Sequence, residues 1–203
     1  MEKITIGDQI WMQNNLDVSE FRNGDPIKEA LTWRDWENGN VNKEPMFCYY
    51  EFDSNNASKY GKFYTWAAVN DPRGLAPEGF FIAKDIDWDI LSDFIAEENG
   101  YRGTNELATY LKGATSWLDD RNGDDEYGFN AIAAGKVDCS ANFELQGHTC
   151  FWWSASEVGE RGGQILAGNS DFARFRSINE SDGFSIGNMN KMWGLSVRCL
   201  CEE

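Results

Sequence analysis

The spacing of apolar residues changes character along the chain. Near the N-terminus ITIGDQIWM alternates loosely and predicts a strand with a turn at Gly7-Asp8. From there to about residue 47 the sequence is polar and irregular, with Asn23-Gly24 and Asn38-Gly39 as turn signals. Helical spacing is confined to the middle. In DIDWDILSDFIAEENG, Trp88, Leu91 and Ile95 recur on one face, Asp85 or Asp87 can cap, and Asn99-Gly100 supplies the stop. TNELATYLKG predicts a second, short helix, capped by Thr104, striped by Leu107, Tyr110 and Leu111 and ended by Gly113.

Beyond Gly113 the period shortens to that of strands and turns, in GFNAIAAG, CFWWSAS, DFARFRSI and GLSVRCLC. The last alternates cleanly, with Leu195, Val197, Cys199 and Cys201 on one face and Ser196 and Arg198 on the other. In FWWSASE, the same alternation turns one of Trp152 and Trp153 into the core and the other outward. The small run Ser154-Ala155-Ser156 then lets the chain pass close under its neighbours, as a hinge. Helices followed by a strand-and-loop half predict an α+β chain.

Composition narrows this picture. With 203 residues, 41% hydrophobic and 14% aromatic, the chain can bury a sizeable core, and with neither linker nor repeat it reads as one domain over 1–203. Against 18 basic residues stand 34 acidic ones, a net charge of -16 that repels phosphate backbones and anionic membranes. Nucleic acid is disfavoured as a partner on that ground, and membrane insertion is not expected because no stretch approaches the length of a span. MEKITIGDQIW lacks the basic and apolar regions of a secretory signal. The five cysteines include no CxxC pair, which disfavours zinc; Cys139 and Cys150 bracket a hairpin and can be bridged, or all five are buried thiols.

Motifs for catalysis are scarce. His148 is the single histidine, in a Gly-His-Thr turn, so every histidine-based nucleophile scheme depends on one loop residue. Neither a GxxxxGK[ST] loop nor a GxGxxG between strand and helix is present. In LDDRNGDDEYG, Asp120, Asn122, Asp124 and Glu126 fall at every second position, an oxygen-rich pattern that suits calcium, although the full EF-hand loop is absent and a solvated turn explains it more simply. The C-terminal third is dense in Trp, Phe, Asn, Ser, Gly and Arg. That composition suits an adaptable binding surface and equally a turn-rich half.

IGDQIWMQNNLDV, MFCYYEFD, YGKFYTWAAV, LAPEGFFIAKDIDWDILSDFI, LKGATSW, YGFNAIAAG, FWWSASE and GLSVRC together resemble, in order and over nearly the whole chain, the Fibrobacter succinogenes major paralogous domain. The resemblance implies a C-type-lectin-like fold with two helices, a small antiparallel sheet closed by the N- and C-terminal strands, and a loop-rich C-terminal half that presents the ligand. It also favours a surface-displayed or secreted protein. The related formylglycine-generating enzymes use a more widely spaced cysteine pair, whereas one residue separates Cys199 from Cys201, so that catalytic pattern is not met. ARFRSI and KMWGLSVRC further resemble the variable proteins of diversity-generating retroelements. On that likeness, 152–199 holds the variable, ligand-binding segment. Ala173, Arg176, Ile178, Lys191, Gly194, Ser196, Val197, Arg198 and Cys199 would be scaffold. Arg174, Phe175, Ser177, Asn179, Ser181, Gly187, Asn188, Asn190, Met192 and Trp193 would meet the ligand. The expectation is a non-enzymatic recognition protein without a cofactor, calcium aside, whose partner is a protein or glycan on another surface. Its alternatives are a sulfatase-modifying enzyme and a calcium-dependent carbohydrate-binding lectin.

Overall fold

The computed structural model describes residues 1–100, 107–156 and 171–202. The chain is α+β, with more sheet than helix. In chain order it contains β1 (Lys3–Ile6), β2 (Gln9–Met12), β3 (Lys28–Glu29), α1 (Trp33–Val41), β4 (Met46–Cys48), α2 (Ala57–Tyr60), β5 (Phe63–Thr65), α3 (Trp66–Val69), β6 (Phe80–Ile82) and α4 (Asp85–Glu98). Short strands follow: β7 (Lys136–Val137), β8 (Phe143–Glu144), β9 (Thr149–Trp153), β10 (Phe172–Asn179), β11 (Phe184–Asn190), β12 (Gly194–Leu195) and β13 (Cys199–Cys201). No described helix is long and apolar enough to cross a membrane.

Instead of one small antiparallel sheet, the described strands form three, ordered β1-β2-β13-β6, β11-β10-β9 and β3-β4-β5-β12-β7-β8, with a parallel pair at β3 and β4. The N- and C-terminal strands do pair, Leu200 opposite Trp11. Gly7, at φ +58°, turns β1 into β2 and leaves room for the Phe94 ring.

Helix extends beyond the middle of the chain. Asn38-Gly39, a turn signal in sequence, lies inside α1, because Gly39 is where Met46 crosses the helix: a Cβ there would stand 2.0 Å from the Met46 sulfur. The helix stops two residues later, at Val41. Glu44 N–H donates to Gly39 O at 2.8 Å and Lys43 N–H to Asn40 O at 3.0 Å, with Lys43 left-handed at φ +55°, a Schellman ending in which lysine takes the position usually given to glycine. α4 runs as its spacing predicts, and Asp87 caps it by accepting from the Lys84 N–H at 2.7 Å. The segment around Leu107–Tyr110 is a 3-10 turn; Leu107 and Leu111 are buried as the stripe requires, and Thr104 lies outside the described residues.

Trp152 and Trp153 are both fully buried, which corrects the inward-outward expectation. β9 has core on both faces. Trp152 packs with Trp11, Trp88 and Phe129, while Trp153 meets Trp66 at 5.4 Å on the opposite side. Each indole N–H is satisfied, by Asn15 Oδ1 at 2.9 Å and by Tyr64 O at 2.8 Å.

The C-terminal alternation is right about faces and wrong about exposure. Leu195, Val197 and Cys199 share one core, yet Ser196 and Arg198 are also buried, because the chain passes here from one sheet to another. Arg198 is caged by oxygens: it donates to the carbonyls of Met12 at 3.0 Å and Phe129 at 2.8 Å, to that of Gln13, and to Asn15 Oδ1 at 3.1 Å. Burial pulls its pKa down to about 9. All five cysteines are free thiols, so no bridge joins Cys139 to Cys150; Cys48, Cys150 and Cys199 are buried, Cys139 and Cys201 half-buried.

Candidate functional site

The small residues after the tryptophans seat the C-terminal hairpin. Ser154 N–H donates to Arg174 O at 3.0 Å and Ala155 N–H to Ala83 O at 2.9 Å, approaches that a large side chain would block. Ser156 Oγ accepts from the first N–H of α4, at Asp85, at 2.8 Å, so a residue distant in sequence caps this helix.

β10 and β11 pair over seven residues, from Phe172 opposite Asn190 to Ile178 opposite Phe184, and paired residues share a face. Arg174, Arg176 and Asn188 lie on the α4 side. There Arg174 Nε is 2.9 Å from Asp85 Oδ2, and Arg176 Nη2 donates to Asp85 O and Asp89 Oδ1, both at 2.9 Å. Arg174 therefore holds the hairpin on the helix. On the other face Phe175 packs 5.6 Å from Phe151 and under Gly187, where a Cβ would meet its ring at 2.7 Å. Ser177 is buried.

Asn179 and Ser181 sit at the opposite end, in the tip of the hairpin. Asn179 Oδ1 shapes that turn by accepting from the Ser181 and Gly183 N–H groups at 2.9 and 3.1 Å. Buried Lys112 fixes the tip by donating to Glu180 O at 3.1 Å and pairing with Asp182 at 2.7 Å. His148 has a partner here: its Nδ1 lies 2.6 Å from Glu180 Oε2, a bond that lowers the glutamate's pKa. Ser181 and Asn188 are exposed; the other predicted ligand positions are half-buried, apart from Ser177. From tip to base the hairpin spans about 20 Å at the usual strand rise, so the ten positions form no single patch.

At the base, Asn190 and Met192 do meet, on one wall of a cleft of about 370 Å³. Lys191 and Asp171 complete that wall, and α1 and α3 supply the other through Asn40, Lys43, Trp66 and Asn70. Asn190 Oδ1 accepts from Met192 N–H at 2.9 Å and Lys191 N–H donates to Asp171 O at 2.8 Å, which sets the turn. Trp193 lies just outside, with the Lys136 ammonium 4.1 Å above its ring. Of the nine residues expected as scaffold, eight are buried; the ninth, Lys191, lines the cleft.

Asp120, Asn122, Asp124 and Glu126 are not gathered. Asn122 Oδ1 accepts from the Trp117 N–H at 3.1 Å, and among the described residues no group of three or more His, Cys, Asp and Glu could hold a metal ion. A turn closed on its own backbone explains the oxygen-rich spacing.

The sequence model of the Fibrobacter succinogenes major domain matches residues 4–200. The chain belongs to that family. Comparison with curated proteins and with solved structures returns no match. The blocks that carry the resemblance also build this domain's interior: LKGATSW supplies Lys112 and Trp117, QNNLDV supplies Asn15, and GLSVRC supplies Arg198. Membership assigns no activity to the cleft. Asn40, Lys43, Trp66, Asn70 and Asp171 carry no motif that would single them out in the sequence.

Proposed function

We propose that this domain is a non-enzymatic recognition module, whose fixed scaffold carries a ligand cleft beside its C-terminal segment. The observation that carries the reading is the 370 Å³ cleft, walled on one side by α1 and α3 and on the other by Asn190, Lys191 and Met192. The pairing of β2 with β13 supports a C-type-lectin-like scaffold, and the partner class is a protein or glycan on another surface. A surface-displayed or secreted location accords with such a partner. Diversification by a retroelement is the narrower form of this reading. It draws support from ARFRSI and KMWGLSVRC, and the positions freest to change are Ser181, Asn188 and Met192. Flanking DNA with neither a reverse transcriptase nor a near-copy of the 3′ end would remove it.

Against the sulfatase-modifying alternative, burial pushes the Cys199 thiol up to about 12, where it holds almost no thiolate at neutral pH. Alkylation of the folded protein at pH 8 should spare Cys199 and reach Cys201; rapid labelling of Cys199 would reopen that alternative. The recognition reading is tested by amide NMR of the 15N-labelled chain against a panel of charged and neutral fragments. Shifts should concentrate at Thr65–Asn70 and Asn190–Trp193 and vanish in Ala67→Trp, with Asn188→Trp as a control that leaves the cleft open. A panel that moves nothing, or moves residues elsewhere, overturns it.

A further inference from the structure

The cleft lacks the negative charge that marks the molecule as a whole. Two lysines line it, Lys43 and Lys191, and neither has a carboxylate partner among the described residues, although acids outnumber bases 34 to 18. Two carboxylates face them. Glu44 is neutralised by Lys28, which is bound directly to its Oε2, and Asp171 is the other. Among the lining residues two lysines stand with two carboxylates, one of them already paired with Lys28, so the lining carries no net negative charge within a chain of net charge -16.

Two further observations point the same way. Asn40, 4% exposed and on the cleft wall, has a buried side-chain Nδ2 with no hydrogen-bond partner, an unused donor in a place where such groups are costly. Lys43 stands at the left-handed residue that ends α1, a conformation disfavoured for any side chain with a Cβ, in place of the glycine that would take it freely. Trp66 and Met192 add an apolar wall.

We propose that the cleft takes a carboxylate-bearing ligand, its charge held between the Lys43 and Lys191 ammonium groups, with Asn40 and Asn70 as amide donors and its body against Trp66 and Met192. This rests on the recognition reading and adds the chemistry of the ligand. The carboxylate can come from an acidic side chain of a protein or from an acidic sugar.

The test titrates the full 15N-labelled chain with glutarate and galacturonate, each beside its neutral counterpart, glutaramide and galactose. At least one acid should bind about tenfold more tightly than its neutral counterpart, as charge-assisted hydrogen bonds do, and move the Asn40 and Asn70 side-chain amides. Which acid wins distinguishes the two sources. Added salt should weaken binding, and K43Q/K191Q should erase the preference, while Lys59→Gln, at an exposed position of α2, should leave it intact. Neutral compounds binding equally well, or a preference that survives K43Q/K191Q, would overturn the proposal and leave recognition standing. Absence of binding by all four compounds and by the wider fragment panel would overturn both.

Discussion

β9 and β11 belong to the same three-stranded sheet, one strand apart, and meet opposite environments. All five residues of β9 are buried, whereas in β11 only Phe184 is, and Ser185, Ile186 and Asn188 are exposed. β9 is packed on both faces and is joined by bridges at Gly135 and Ser196 to the chain beside β7 and β12 of the six-stranded sheet, while β11 is the edge. Place in the sheet sets burial here. The scaffold therefore ends within β10, whose Ile178 end is interior and whose Phe172 end is open.

Substitutions on the two strands should differ sharply in cost. The largest effect belongs to Trp152→Ala in β9, expected to cost about 3–5 kcal/mol in denaturant unfolding, since it empties a ring-lined core and leaves Asn15 short of a donor. A loss below about 1 kcal/mol would mean that the two cores are not packed as described. Next comes Asp85→Ala between the strands and α4, at about 3 kcal/mol, because it leaves Arg174 and buried Arg176 without their shared carboxylate. Asp85→Ala combined with Arg174→Ala should lose less than the sum of the single losses; strict additivity would show that the two groups are uncoupled.

Ser156→Ala should cost about 1 kcal/mol through the lost cap of α4, and native-state hydrogen exchange should show faster exchange at the Asp85 amide. At the bottom of the scale, Asn188→Ala on β11 should change stability by no more than about 0.5 kcal/mol. A larger loss would make the edge part of the scaffold after all.

Much of the interior was legible. The stripe of Trp88, Leu91 and Ile95 and the shared face of Leu195, Val197 and Cys199 follow from spacing, and the structure places both sets in core. Exposure of the opposite face was not. Polar Ser196 and Arg198 read as outward because alternation reports only which residues share a side, while what covers that side comes from Met12, Asn15 and Phe129, far away in sequence. The cleft was legible at one wall: Asn190 and Met192 carried a signal, but Asn40 and Lys43 were hidden by an Asn-Gly pair that reads as a turn and lies within a helix because Met46 needs the space.

By itself the sequence determined the α+β class, α4, the faces of the last segment and the family, since these depend on local spacing and on ordered blocks of residues. Only the tertiary structure decided that β9 is covered twice, that Arg174 serves the helix, and that Lys43 and Lys191 share a cleft. Each of those depends on contacts between residues tens of positions apart, whose free energies arise from burial and pairing and leave no periodicity in the chain.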